Sequence, residues 1–469
     1  MNKNIIIKLS LFLILIFSIC SCKRENDILN VTIGNYHGNE LIIKIDVTTN
    51  TDSDVVVAYW TNKDGVKLKV NYTPVSKDET SHSIIINNVS AETVYNFQVI
   101  STLDKQNKKS KIYTFKTPIL PEWLQNQFKV TCASPELLSQ EFKKGFMLFS
   151  KKETPGVAYI VDYNGNLRWY HSVPSTGFKM VRFTNEQTII SILGKQNEPT
   201  IYGSQILEVN LKGDTLTHLK IGDGDFKFQI HHEILKKSPN EIATIFLDKK
   251  VMDLSSVGGK VKDTVCADGI IIIDRNGKQL WKWSVFDVLD PLKEKDILKK
   301  KKDWVHTNSL NYDKDGNFII SFYNTGQIWK VDAQSGKVIW KLGNGGTLKM
   351  PVGSDFSNSH AVHYNKEGDL MFFDNGVIKQ QSSIISYIIN DNTKEVKSKL
   401  HIILPQDIFS DRMGSAYSID GKTFLVCSSK SRTSVLVNLK GEVLWSLEST
   451  MLYRVQFVPE EDMKPFLFN

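Results

Sequence analysis

One half-unit recurs along the second two-thirds of the 469-residue chain: a strand, a tight turn that usually carries glycine, and a second strand that usually ends in tryptophan. Its copies run Ile160 to Trp169 around Gly165, Leu207 to Asp214 around Gly213, Ile273 to Trp281 around Gly277, Val331 to Trp340 around Gly336 and Val437 to Trp445 around Gly441. These glycines stand 48, 64, 59 and 105 residues apart, and the long interval holds a glycine-free copy from Ile385 to Val396, which makes six units. A second turn precedes most hairpins, at Asn185-Glu186, Pro239-Asn240, Asp315-Gly316-Asn317, Glu367-Gly368-Asp369 and Asp420-Gly421. Two such turns per unit give four antiparallel strands. Strands of this kind are stable when their sheets close into a ring that leaves no long free edge. The repeat therefore predicts an all-β chain whose main body, residues 120–469, is a six-bladed β-propeller. An open array of sandwiches would not explain so regular a spacing. The 24 Phe, 15 Tyr and 9 Trp among Ile-rich and Val-rich runs suit pleated strands.

Residues 28–118 show alternating runs of their own: Leu41 to Ile45, Val55 to Trp60, Ser83 to Ile86 and Tyr95 to Val99, closed by Lys111 to Pro118. The last two resemble the end of a fibronectin type III sandwich, with Tyr95 as its corner tyrosine. A small β-sandwich without chemistry of its own is expected there, bounded by Pro118 and Pro121.

The first 21 residues stand apart. Lys3 and Lys8 accompany an apolar run from Leu9 to Ile19, shorter than the ~20 residues that span a bilayer. It ends at Ile19-Cys20-Ser21-Cys22, which resembles the lipobox of bacterial lipoproteins. That resemblance implies a cleaved leader, lipidation at Cys22 and a protein anchored by lipid in the cell envelope, on the outer membrane or facing the periplasm. Loss of Lys3 and Lys8 lowers the formal charge of +7 by two. With 58 basic and 51 acidic residues spread along the chain, no basic face concentrates, and no nucleic-acid partner is expected. Cys132, Cys266 and Cys427 lie too far apart for a disulfide framework; one pair with a free thiol, or three buried thiols, is expected.

Of ten histidines, the informative ones fall at one place in the unit. His231-His232-Glu233 precedes the first turn of blade 3, His306 that of blade 4 and His360 that of blade 5. Equivalent positions near the start of innermost strands face the central channel, so three consecutive blades converge imidazoles on one pocket. Two chemistries use such a cluster. One is a three-histidine zinc site, for which Glu233 and Asp355 are carboxylate partners; the other is nucleophilic catalysis by one histidine, with the others moving charge and protons. In a strand the neighbour of an inward residue points outward, which favours His232 over His231.

The segments His231-His232-Glu233, Asp303-Trp304-Val305-His306-Thr307-Asn308-Ser309, Ser359-His360 and Phe372-Phe373-Asp374-Asn375-Gly376, in this order, resemble the successive signatures of the bacterial arylsulfate sulfotransferase family. Gly414-Ser415-Ala416-Tyr417 and Tyr453-Arg454 are similar as well. The resemblance covers about residues 120–469, and that family also has a six-bladed propeller behind a smaller β-domain. It implies sulfuryl transfer from a phenolic sulfate to a phenol, with no nucleotide donor, metal or other cofactor, and it admits a homodimer. It further implies that His360 is the nucleophile, that His306 and His232 act with it, and that His231, Asn308, Tyr323 and Arg454 contact substrate.

One position departs from the family. Its sulfuryl-binding arginine follows the His-x-Asn motif, whereas here the run is Ile320-Ser321-Phe322-Tyr323-Asn324, with Tyr323 in the arginine's place. A phenol donates one hydrogen bond and carries no charge. The glutamine that commonly precedes the nucleophile is Ser359. Arg412, Arg432 and Arg454 of the last blade are the candidates to reach in and replace the missing one. A channel without that charge also fits a non-catalytic propeller that binds an anionic or aromatic ligand. Trp169, Trp281, Trp340 and Trp445, at one repeat position, are expected between blades, while Trp304 and Tyr312 flank His306 as candidate aromatic walls. The run Lys299-Lys300-Lys301-Lys302 reads as a solvated loop.

Overall fold

The computed structural model describes residues 26–35, 39–199, 201–449 and 452–467; the leader and Cys22 lie outside them. From Ile28–Asn35 to Tyr113–Lys116 the chain forms one seven-stranded sheet curled around an 18-residue strand, Ile43–Trp60. The first half of that strand pairs with Ile28–Asn35 and Ser76–Ile86, the second with Asn71–Tyr72 and Val94–Leu103. Alternate residues along it, from Ile43 and Ile45 to Val55 and Val57, are buried, as period-2 patterning requires. The Tyr95 hydroxyl accepts the Ser90 N–H at 2.9 Å, bonding back to backbone just upstream. This sheet packs on blade 1 of the second body, sharing one apolar core with it. There Tyr170 donates to Glu40, and Arg168 reaches the Ser90 hydroxyl at 3.3 Å.

The second body is the six-bladed β-propeller. Blades 2 to 5 are sequential meanders whose inner strands are Gly177–Phe183, Ile230–Ser238, Thr307–Tyr312 and Ser359–Tyr364. Blade 6 begins with Ser415–Ser418. The glycine hairpins join the two outer strands of blades 1 to 4 and 6, and the glycine-free copy does so in blade 5, as the repeat predicts. The ring closes twice. Gln456–Val458, from the end of the chain, pairs with Phe146–Lys151 as the inner strand of blade 1, and Phe128–Cys132, from its beginning, adds a fifth strand to the outer edge of blade 6. Both ends of the propeller sequence therefore cross the same seam, which ties shut the one place where a ring of blades could open.

Indole groups fasten four of the six blades to the next. Trp169 donates to the Leu211 carbonyl at 2.9 Å, Trp340 to Asp391 at 2.8 Å and Trp445 to the Tyr163 carbonyl at 2.8 Å, each reaching the neighbouring blade's outer hairpin. In blade 3 the residue that does this is Trp283, to the Gly336 carbonyl at 2.9 Å; Trp281 is half-buried and stacks on Phe318. Trp281 still lies between blades 3 and 4, while the bond to the next hairpin is made two residues further along the same strand. Among the described residues the three thiols are free, with Cys132 exposed, Cys266 half-buried and Cys427 buried, which corrects both expectations of a pair and of three buried thiols.

Candidate active site

The inner strands of blades 3, 4 and 5 share a local defect. Each shifts register within its first residues, between His231 and Ile234, Thr307 and Ser309, and His360 and His363. His232, His306 and Ala361 there adopt left-handed φ of 61°, 51° and 52°. Bulges of this kind re-aim side chains that a regular strand would alternate. The result is a cluster in which the His232 ring lies 5.0 Å from His306, and Tyr323 stands 5.5 Å from both His306 and His360, between them. His231 does not point away as strict alternation predicts; it is buried behind His232, with their Nδ1 atoms 2.6 Å apart.

His360 Nδ1 lies 2.5 Å from Asn375 Oδ1 and 3.4 Å from the Asn358 carbonyl, both acceptors. The amide nitrogen of Asn375 donates to the carbonyls of Ser410 and Met413, at 2.7 and 2.9 Å, so its oxygen must face His360. Nδ1 therefore carries the hydrogen and Nε2 the lone pair. Burial, and then the charge of Arg454, lower the His360 pKa to about 3, and the ring is neutral at physiological pH.

His306 has the opposite character. Its Nδ1 lies 2.6 Å from Asp303 Oδ2. Burial alone would lower its pKa, but the Asp303 bond and charge, with Asp268 behind, raise it above the ordinary histidine value. His232 is held well below that value by burial and by the neighbouring His231, His306 and Arg454.

Arg454 stands two residues before the inner strand of blade 1, close to the place His306 takes directly before that of blade 4. It donates to Glu233 at 2.6 Å and to the Asn308 carbonyl, and Arg182 holds the other Glu233 oxygen at 2.8 Å. Two guanidiniums share one carboxylate, which leaves one net positive charge under the histidines. Glu233 is committed to this triad rather than to a metal, and Asp355 is exposed in a separate cleft of about 400 Å³ with Phe356 and Lys379. Among the described residues, no three His, Cys, Asp or Glu side chains meet at metal-ligand spacing.

The remaining nominees separate. Asn308 donates to the Ser359 carbonyl at 2.8 Å and accepts from Ser309 and Ser321, so its amide fastens the strand bearing His360. The Tyr323 hydroxyl donates to the Asp411 carbonyl at 2.7 Å, and what it turns to the histidines is its ring. Arg412 is mostly exposed beside Asp411, and of the three arginines only Arg454 is built into the cluster. Trp304 and Tyr312 are not pocket walls: Trp304 is buried against Phe286, and Tyr312 packs on Phe318. Asn375 and Asp303 lie inside motifs visible in the sequence; Arg182 and Asp268 carry no local signal and emerge only from the packing of blades.

The arylsulfotransferase (ASST) family model matches residues 133–443. Among curated proteins no match reaches significance. Similar solved structures include a protein of unknown function from Bacteroides caccae, at 9% identity over 67% of this chain and 98% of that one, TM-score 0.38. Virginiamycin B lyase from Staphylococcus aureus is similar at 10% identity over 71% and 97%, TM-score 0.36, and a DUF4784 family protein from Bacteroides caccae at 10% over 93% and 99%, TM-score 0.34. The family model spans well over half of the chain and every residue of the histidine cluster except Arg454. The chain belongs to the arylsulfotransferase family.

Proposed function

We propose that the protein moves a sulfuryl group from a phenolic sulfate ester to a phenolic acceptor through a sulfohistidine at His360, without a nucleotide donor. The observation that carries this reading is the Asn375 bond, which leaves Nε2 of a neutral imidazole as a lone pair on the cluster side. That nitrogen attacks sulfur, the bond from sulfur to the aryl oxygen breaks, and its electron pair departs with the phenolate. An acceptor phenolate then attacks the same sulfur and returns the electron pair to Nε2. Splitting one transfer into two displacements is the usual benefit of a nucleophile.

Charge on the sulfuryl oxygens needs fixed positive partners. His306, held by Asp303, and the surplus charge of the Arg182, Glu233 and Arg454 triad supply them in place of the family's arginine. Tyr323 offers an aromatic wall for the aryl group. The lipobox-like run Ile19-Cys20-Ser21-Cys22, read as a leader of residues 1–21 before a lipidated Cys22, supports action at the cell envelope on small phenolic esters. Purified protein given 4-nitrophenyl sulfate and phenol should form phenyl sulfate, and His360→Ala should not; equal yields from both would sink the proposal, and loss of the reaction with a chelator would move the chemistry to a metal.

A further inference from the structure

We infer that Asp268 is a positioning residue that, acting through His231, makes His232 the proton acceptor for the incoming phenol. The inference rests on the sulfuryl-transfer reading and adds the base that its second displacement requires. Asp268 lies in the strand Asp263–Ile273 of blade 3, 2% exposed, with one strand between it and the histidine pair on Ile230–Ser238. One carboxylate oxygen accepts the Thr307 N–H at 2.7 Å and the other lies 3.2 Å from His231 Nε2.

A carboxylate only accepts, so a neutral His231 carries its one hydrogen on Nε2 and leaves Nδ1 a lone pair. The 2.6 Å contact between the two Nδ1 atoms then requires the hydrogen to belong to His232. His232 Nε2 is left as a lone pair. One buried carboxylate thus sets two tautomers in series, the way an orienting partner sets a ligating or catalytic histidine. Tyr202, whose ring lies 4.6 Å from His231, and Tyr453, 6.5 Å from His232, pack on the pair and hold the rings in place.

The array also answers an electrostatic difficulty. A proton kept on His232 would place a charge in a buried site beside His306 and Arg454. When Nε2 takes the phenol's proton, the hydrogen on His232 Nδ1 can cross to His231 Nδ1. The charge then rests on His231, whose Nε2 hydrogen faces Asp268. The phenol's O–H bond breaks, one N–H bond forms on His232, one proton moves between rings, and the phenolate is free to attack. Run backward, the protonated array returns a proton to a weakly acidic leaving phenol, whereas 4-nitrophenolate leaves without one.

The test separates the two displacements in the full-length protein. With 4-nitrophenyl sulfate as donor, Asp268→Asn should keep the initial burst of 4-nitrophenolate within about threefold of wild type, while turnover with unionised phenol falls about 10²-fold, the scale of a lost general base. A phenol already ionised at the assay pH should restore turnover to within about threefold, since it needs no base. His231→Gln, which leaves the Thr307 bond intact, should reproduce this selectivity and guards against a folding defect at Asp268. Equal losses with both acceptors, a lost burst in both variants, or no loss at all would overturn the inference. Absence of a burst in the wild type would overturn the sulfohistidine reading, and this inference with it.

Discussion

The Nδ1 atom of His360 and the Oδ1 atom of Asn375 are 2.5 Å apart, and the amide that presents this oxygen is pinned by the carbonyls of Ser410 and Met413. A motif that reads in sequence as Phe-Asp-Asn-Gly is, in space, the device that fixes which nitrogen of His360 is free. Asn375→Ala releases the ring to either tautomer. Its 4-nitrophenolate burst should slow by about 10²-fold, the cost of misplacing a reacting group, with a smaller change in KM. Thermal unfolding should fall as well, because the carbonyls of Ser410 and Met413 each lose a donor, by about 1–3 kcal/mol in total before rearrangement.

The pH dependence follows from opposite shifts. His360, lowered to about 3, stays neutral well into acid, so kcat/KM should show no acid limb from that group near neutrality. His306 is raised, so its charge is present below that raised pKa and is lost as pH rises through it. Activity should therefore decline on the alkaline side of the ordinary histidine range, and Asp303→Asn should move that limb to lower pH. The same sign holds for stability: the Asp303 pair stabilises the fold below the unfolded histidine pKa and loses that contribution above the folded one. A pH–rate profile of both proteins checks this.

At Tyr323 the ring and the hydroxyl have separate work. The hydroxyl holds the Asp411 carbonyl and the ring stands between two histidines. Tyr323→Phe should keep the burst within about threefold of wild type, whereas Tyr323→Ala, which removes the wall, should lose about tenfold or more, mostly in KM for aryl sulfates, on the 1–3 kcal/mol scale of a pocket contact. A hydroxyl that directly bound the sulfuryl group would make the two variants equally poor.

Glu233 holds Arg182 and Arg454 together at 2.8 and 2.6 Å in a buried triad. Glu233→Gln strands two guanidiniums away from water, and breaking a buried pair by removing one partner costs about 3–5 kcal/mol. Thermal denaturation should show a large drop, larger than that of a double variant that replaces both Glu233 and Arg454 with apolar residues. Equal drops would show that the charge is not compensated through this triad.

The blade count was legible because the outer hairpins obey local turn chemistry: Gly165, Gly213, Gly277, Gly336 and Gly441 all take positive φ there. The convergence of His232, His306 and His360 was legible for the same reason, as equal places in equal units. What the repeat could not show lies at bulges and between blades. Period-2 alternation at His231-His232 fails because the strand slips register there. That Trp283 rather than Trp281 bonds the next hairpin has a reason only the neighbouring Gly336 carbonyl supplies. Asp268 and Arg182 meet their partners across strand or blade boundaries, so no sequence spacing marks them. The closing strand Gln456–Val458 is three residues long and left no periodic trace.

The central claim is that His360 carries the sulfuryl group between donor and acceptor. Full-length protein quenched during the burst with 4-nitrophenyl sulfate, digested and analysed by mass spectrometry, should show a sulfuryl group on the peptide at His360, matched by about one equivalent of 4-nitrophenolate and absent from His360→Ala. Release of 4-nitrophenolate with no modified His360, or the same burst from His360→Ala, would contradict it.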